Sequence, residues 1–143
     1  MTAALLAAAS VVFVCEHGNV KSLIAMQWFN RLAAERGLAM RAVSRGLVPE
    51  SPVPPAIRDR LREDGFDVTT FQARPLARAD VRGAARLVVI GTDVPAWARP
   101  AGVPVEVWRD IPPASEGYGT SRDAMKARIV ALLAALTPPP AKR

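Results

Sequence analysis

The stretch VVFVCEHGNVKSLIA, residues Val11 to Ala25, decides how this chain folds. Its first five residues, VVFVC, are typical of a strand that is buried on both faces. From Lys21 and Ser22 onward, apolar residues recur at the spacing of an amphipathic helix. The intervening EHGNV is mostly polar or small, and contains glycine and asparagine, the residue types that best tolerate left-handed backbone angles. The sequence therefore predicts a strand, a tight turn and a helix. The only cysteine and the only histidine of the chain lie at this turn.

The rest of the chain repeats this alternation. Val-rich runs predict further strands at 40–44, 86–91 and 105–108, and helical patterns occupy 22–36, 54–64, 78–85 and 121–136. Strands that alternate with helices indicate an α/β fold with a parallel sheet. We expect one domain over residues 11–136, because no repeat or long linker divides it. Residues 1–10 would then form an N-terminal extension, and 137–143 (TPPPAKR) a mobile tail that cannot continue the last helix.

Composition limits the classes of function. The chain has 143 residues, of which 50% are hydrophobic and 22% charged, so it is long and apolar enough to bury a core. Its formal charge of +6 favours anionic partners. The arginines are scattered and do not alternate with aromatic residues, which argues against nucleic-acid binding. One cysteine and one histidine exclude an internal disulfide and the common cysteine or paired-histidine metal sites, so we expect no metal and no cofactor.

The beginning of the chain bears on localisation. No apolar run reaches the roughly 20 residues of a membrane-spanning helix. The segment MTAALLAAAS (1–10) resembles the apolar part of a secretory signal, but it lacks a basic leading region. We therefore expect a cytoplasmic protein, with export to the periplasm as the alternative. The sequence leaves the oligomeric state open.

The turn after the first strand is predicted to bind an anion. Successive main-chain N–H groups between a strand and a helix form a small bowl, and the helix dipole adds to its positive field. Cys15 begins this bowl, where such a field stabilises a thiolate and lowers the pKa of a thiol. Lys21 would add a charge at the rim, and the Ser22 hydroxyl could hydrogen-bond the sulfur. The alternative is that Cys15 is an ordinary buried thiol.

The predicted oxyanion-binding segment runs from the residue after the cysteine to the start of the helix. His17 would line the bowl as a donor, or else only shape the loop. Glu16 would contribute its backbone while its carboxylate faces solvent, because a negative side chain in the bowl would oppose anion binding. The segment consists of Glu16, His17, Gly18, Asn19, Val20, Lys21 and Ser22.

These residues resemble a known family. CEHGNVKS (15–22) is similar to the Cys-x5-Arg-Ser loop of the low-molecular-weight protein tyrosine phosphatases and the related arsenate reductases. The resemblance extends from Val11 to Leu136, through RAVSRGL (41–47), residues 65–91 and VEVWRDIPPA (105–114). It implies a phosphotyrosine protein phosphatase I-like fold, a small open parallel sheet of about four strands flanked by helices.

The resemblance also implies a mechanism. Cys15 would attack phosphorus to form a phospho-cysteine, or arsenic in a reductase, and Ser22 would tune the thiolate. An aspartate after Trp108 would protonate the leaving oxygen and then activate water.

Three departures from the family pattern concern the site. Lys21 stands where the family has arginine, so one compact charge replaces a planar fork of donors. The asparagine of the family loop is Gly18 here, with Asn19 one place later. The family's Asp-Pro is Pro112-Pro113, and the nearest carboxylate, Asp110, comes two residues early. Asp110 is equally well interpreted as the general acid or as a turn or cap residue; Glu116 is a weaker substitute.

Three functions remain open at this stage. The first is a cysteine-dependent hydrolase of phosphotyrosine or small phosphoesters. The second is an arsenate reductase that uses an external thiol, since a relay between cysteines within the chain is impossible with Cys15 alone. The third is a catalytically degenerate protein that binds anions or phosphorylated partners. All three share phosphate or arsenate, or a phosphorylated substrate, as the ligand.

Overall fold

The computed structural model describes residues 10–137 of the chain. Along this part, strands and helices alternate as the sequence predicts. The strands are β1 (Ser10–Cys15), β2 (Arg41–Gly46), β3 (Arg86–Ile90) and β4 (Val105–Trp108). The helices are α1 (Lys21–Glu35), α2 (Pro55–Glu63), α3 (Arg78–Arg82) and α4 (Tyr118–Leu136), with a short 3-10 helix at Ala96–Ala98.

The four strands form one parallel sheet in the order β2-β1-β3-β4. The expected α/β fold with four parallel strands is confirmed. β1 lies inside the sheet, and its last residue, Cys15, is opposite Gly46 at the end of β2. On the other side of β1, Val14 pairs with Val89 near the end of β3. The carboxyl ends of all strands therefore lie at one edge, which is where ligands bind in open parallel sheets.

β1 is buried on both faces of the sheet, and its alternate side chains enter two different clusters. Phe13 packs against Phe29 of α1 and Trp108 of β4, with ring centroids 5.8 and 5.7 Å apart. Val12 and Val14 point to the opposite face, where the covering helix is the short α3. α4 contributes to the first cluster through its apolar stripe, which includes Met125, Ile129, Leu132 and Leu133.

Two helix boundaries differ from the sequence prediction by three residues, and the others lie within one residue of it. α3 ends at Arg82 instead of residue 85, because Gly83 closes it and Ala85 already donates its N–H to Ser10 O at 2.7 Å, leading into β3. α4 starts at Tyr118 instead of residue 121, since Ser121 N–H donates to Gly117 O at 3.1 Å and completes an extra turn.

The extra turn of α4 is held by a polar contact with the end of α2. The Tyr118 hydroxyl donates to Asp64 Oδ2 at 2.7 Å, and Arg122 Nη1 lies 3.2 Å from both carboxylate oxygens of Asp64. Burial, together with the hydrogen bond to the negative Asp64, raises the pKa of Tyr118 well above its ordinary value.

We expect Tyr118→Phe to lower the free energy of unfolding by about 2 kcal/mol at pH 7, the usual worth of a hydrogen bond to a charged acceptor. Because the pKa of Tyr118 is raised in the folded state, this contribution is fully present below about pH 10 and disappears as the pH rises through the folded pKa. Urea unfolding of both proteins at pH 7 and at higher pH measures the difference. A variant as stable as the wild type at pH 7 would contradict this role.

Two predictions concern residues outside the described range. The choice between a cytoplasmic and an exported protein depended on residues 1–10, and of these only Ser10, the first residue of β1, is described. The predicted tail, 137–143, lies outside it apart from Thr137. Within residues 10–137, no helix is both long and apolar enough to cross a membrane.

Candidate active site

The loop between β1 and α1 is shaped by two glycines in contact. Gly18 has a φ of +69°, the left-handed angle expected of it, and a Cβ there would lie 2.8 Å from Gly46 N. A Cβ on Gly46 would in turn lie 2.7 Å from the carbonyl carbon of His17. The loop therefore rests directly on the end of β2, with no room for a side chain between them.

Asn19 does not adopt the left-handed angle that its residue type suggested, since only glycines do so among residues 10–137. That expectation is wrong for a simple reason: Gly18 alone makes the turn. The amide side chain of Asn19 instead donates to Pro52 O at 3.2 Å, and Asn19 is almost fully buried. Asn19 therefore ties the loop to the proline-rich segment that follows β2.

The orientation of the loop peptides favours an anion. Their carbonyls point away from the cavity: Cys15 O accepts from Leu47 N, Glu16 O from Val48 N and His17 O from Glu50 N, at 3.2, 2.7 and 3.0 Å. The N–H groups of the loop are paired less completely than its carbonyls. Within the part of the chain that the structure describes, the main-chain N–H groups of His17, Asn19 and Val20 have no protein acceptor. Unpaired amides at the start of a 15-residue helix are the groups that an oxyanion would bind.

The sulfur of Cys15 lies beneath this loop and is surrounded by donors. Gly18 N–H and Ser22 N–H donate to Sγ at 3.2 and 3.5 Å, and the Ser22 hydroxyl lies 3.1 Å from it. Cys15 is 7% exposed, so the sulfur is nearly enclosed but not sealed. Ser22 is in the position predicted for it, with its hydroxyl against the sulfur.

A residue that the sequence reasoning missed extends this network. Ser44, on β2, has its hydroxyl 2.7 Å from Ser22 Oγ and 3.2 Å from Gly18 O. Ser44 has one hydroxyl proton, which either donates to Gly18 O or turns to Ser22 Oγ; in the second arrangement the Ser22 proton is free to point at the sulfur, as a thiolate requires. The only signal in the sequence was a polar residue in the strand paired with β1.

A cavity of about 270 Å³ opens above Cys15. Lys21 lines it, with its Nζ only 2.8 Å from where a Cβ on Gly91 would be. Because Gly91, just after β3, has no side chain, it leaves room for the ammonium group. The lining comprises Cys15, Glu16, His17, Asn19, Val20, Lys21, Ile90, Gly91, Pro113, Ala114 and Ser115.

His17 lies at the rim of the cavity, and polar contacts fix the orientation of its imidazole ring. Its Nδ1 lies 2.9 Å from Val48 O, and the carboxylates of Glu50 and Glu16 lie 3.7 Å from Nδ1 and Nε2 respectively. The hydrogen bond to the Val48 carbonyl, helped by the two negative neighbours, raises the pKa of His17 above its ordinary value.

The structure does not bring Asp110 to Cys15. Its carboxylate is 71% exposed and accepts a hydrogen bond from Arg128 of α4, outside the lining of the cavity. That hydrogen bond lowers the pKa of Asp110, which keeps the group ionised. This geometry favours an ion pair between the β4–α4 segment and α4 over a role as general acid. Glu116 lines a neighbouring cavity and not this one.

The neighbouring cavity is larger, about 660 Å³, and shares Val20, Ala114 and Ser115 with the first. Its other walls combine the apolar Pro54, Ala56, Ile57 and Tyr118 with Gly117 and with the charged Asp59, Arg60 and Glu116. Tyr118 and Trp108 themselves are 4% and 0% exposed, so these two aromatic residues chiefly pack the core.

Among the described residues, no group of three or more His, Cys, Asp or Glu side chains could hold a metal ion.

Sequence comparison identifies the family. The low molecular weight phosphotyrosine protein phosphatase family matches residues 10–94, more than half of the chain, including β1, β2, β3 and the whole loop above Cys15. The chain belongs to this family. The comparison with curated proteins finds no match in sequence.

Solved structures of related proteins share the fold. The thioredoxin-dependent arsenate reductase of Corynebacterium glutamicum is 21% identical, with a TM-score of 0.75; the match covers 90% of this chain and 62% of that one. The low molecular weight protein tyrosine phosphatase from T. tengcongensis is 19% identical over 90% of this chain and 100% of its own, with a TM-score of 0.74. A cysteine-to-serine mutant of the arginine phosphatase YwlE, with a phosphorylated active-site serine, is 17% identical over 90% of this chain and 95% of its own, with a TM-score of 0.74. At these identities the likeness establishes the fold of this phosphatase family member.

Proposed function

We propose that this chain is a cysteine-dependent phosphatase-like hydrolase that cleaves phosphoesters through a phospho-cysteine on Cys15. The observation that carries the proposal is the arrangement of donors around one sulfur. Three donors surround Sγ, unpaired loop amides lie beside it, and Lys21 lines the same cavity. A thiolate held at the base of an anion-binding loop is directed at the central atom of the anion that the loop binds.

The chemistry follows from these positions. The loop amides and the Lys21 ammonium bind the phosphoryl oxygens and neutralise the charge that builds up on them during transfer. Ser22 and Gly18 hold the sulfur as an anion before attack and accept it again as a leaving group in the second step. The large cavity beside the site has room for the rest of the substrate, and its apolar walls favour an aromatic or aliphatic alcohol portion. Phosphotyrosine and small aromatic phosphoesters fit this description.

Two relatives support the choice of chemistry. The T. tengcongensis protein is a tyrosine phosphatase, and a cysteine-to-serine mutant of the arginine phosphatase YwlE carries a phosphorylated serine in its active site, a covalent phosphoryl–enzyme species. The arsenate reductase of Corynebacterium glutamicum favours a second candidate, arsenate reduction. With Cys15 as the only cysteine, this reaction would need an external thiol to resolve the cysteine–arsenic adduct.

One set of assays on the wild-type protein distinguishes these functions. We expect hydrolysis of p-nitrophenyl phosphate, no thiol-dependent consumption of arsenate, and a higher melting temperature in the presence of inorganic phosphate. Arsenate consumption without ester hydrolysis would replace the first candidate by the second. Neither activity, with phosphate still raising the melting temperature, would indicate a protein that only binds anions. No effect of phosphate at all would contradict the anion site itself.

A further inference from the structure

The site as described lacks one of the parts that phosphoester cleavage requires. Cys15 supplies the nucleophile, and the loop amides with Lys21 bind the anion, but a poor leaving group also needs a proton. Asp110 is engaged by Arg128 outside the cavity. Among the side chains that line the cavity, only Glu16 and His17 remain as proton carriers, since Cys15 attacks and Lys21 must stay charged beside the oxyanion.

The surroundings of these two residues distinguish them. The Glu16 carboxylate is 65% exposed, and an exposed carboxylate has no proton to give at neutral pH. The His17 ring is fixed by its Nδ1, which donates to Val48 O at 2.9 Å. The exchangeable proton is therefore carried on Nε2. The Val48 carbonyl, Glu50 and Glu16 raise the pKa of His17 and so favour its protonated form.

We infer that His17 is the catalytic acid and base of the phosphoryl transfer, taking the place of the family's aspartate. This inference rests on the phosphatase function proposed above. Glu16 and Glu50 then act as positioning residues that hold the imidazole and favour its protonated form. The other charged groups that face this cavity are the Cys15 thiolate, which also favours a protonated His17, and the Lys21 ammonium, which opposes it.

The phosphoryl transfer takes place in two steps, formation of a phospho-cysteine and its hydrolysis. In the first, the Cys15 thiolate forms an S–P bond as the P–O bond to the leaving group breaks, and the departing oxygen takes the proton from His17 Nε2. In the second, neutral Nε2 accepts a proton from a water molecule whose oxygen attacks phosphorus. The S–P bond then breaks, the thiolate is released, inorganic phosphate leaves, and the imidazolium is restored.

A measurement that needs no turnover tests the position of His17. It is the only histidine in the chain, so its imidazole resonances are assigned without ambiguity by NMR. If Nε2 faces the bound anion, saturating inorganic phosphate is expected to raise the pKa of His17 by at least about half a unit in the Cys15→Ser protein. A titration of His17 that phosphate leaves unchanged would overturn the inference, even if the enzyme is an active phosphatase.

A comparison of esters with poor and good leaving groups tests whether His17 donates the proton. The ratio kcat/KM reports the steps up to P–O cleavage, which require a proton only when the leaving group is poor. For His17→Gln, which keeps a polar side chain but carries no acidic proton, we expect kcat/KM to fall about 100-fold on phenyl phosphate and less than about threefold on 2,4-dinitrophenyl phosphate. Asp110→Asn, the matched control, is expected to leave both values nearly unchanged.

Three other results of the ester assays would contradict the role of His17. Equal losses on both esters for His17→Gln would assign it a structural role and overturn the inference. A leaving-group-dependent loss for Asp110→Asn, with none for His17→Gln, would assign the acid to Asp110 after a movement of its loop. If the wild-type protein hydrolyses neither ester, the phosphatase proposal itself fails and the role of His17 falls with it.

Discussion

Cys15→Ser is expected to lower the turnover of p-nitrophenyl phosphate by at least about 1000-fold. The serine hydroxyl is a far weaker nucleophile than a thiolate, because it keeps its proton at neutral pH. Gly18 N–H, Ser22 N–H and the Ser22 hydroxyl, which stabilise an anion on sulfur, cannot make up for that difference. The measurement is the rate of p-nitrophenol release by both proteins, side by side.

Binding distinguishes loss of chemistry from loss of structure. The loop amides that receive the oxyanion belong to the backbone, and Cys15→Ser replaces only one buried atom, so phosphate is expected to raise the melting temperature of both proteins by similar amounts. Residual hydrolysis within about tenfold of the wild type would show that Cys15 is not the nucleophile. A variant that no longer responds to phosphate would show that the sulfur helps to shape the loop, and the activity loss would then say nothing about nucleophilic attack.

The fold could be predicted from the sequence because its signals are local. Val-rich runs bounded by turn residues mark β1 to β4, and glycines end α1 and α2. The boundaries that differ depend on contacts between distant parts of the chain. α4 begins early because Tyr118 reaches Asp64, 54 residues before it, and no periodic pattern within α4 records that contact.

The same distinction applies to the site. Cys15 to Ser22 could be predicted as one unit, since a strand, an anion-binding turn and a helix start are contiguous in sequence. Ser44, Gly46 and Gly91 could not, because they reach the loop only through the pairing of the sheet. The ion pair of Asp110 with Arg128, 18 residues later, likewise left no local pattern, so the sequence could not decide between an acid and a structural carboxylate.

Lys21→Met is expected to lower kcat/KM for p-nitrophenyl phosphate by about 100-fold, the usual cost of removing one charged donor to a developing oxyanion. Methionine keeps most of the length of the side chain but has no ammonium group to place beside the phosphoryl oxygens. Lys126→Met is the matched control, because Lys126 lies over the ring of Trp28, 4.1 Å from its centroid, and is outside the lining of the cavity. Equal effects of the two substitutions would show that Lys21 acts only through the net charge of the protein.

Gly91 allows the position of the ammonium to be tested separately from its charge. A Cβ at residue 91 would lie 2.8 Å from Lys21 Nζ, and since the end of a lysine side chain is flexible, it can move aside. Gly91→Ala is therefore expected to lower kcat/KM about tenfold by displacing the charge, and to cost about 1 kcal/mol of stability, because residue 91 has a φ of +70°. If Gly91 acts through Lys21, adding Gly91→Ala to Lys21→Met should cause no further loss of kcat/KM. Additive losses would mean that Gly91 affects the site by another route, such as the path of the chain after β3.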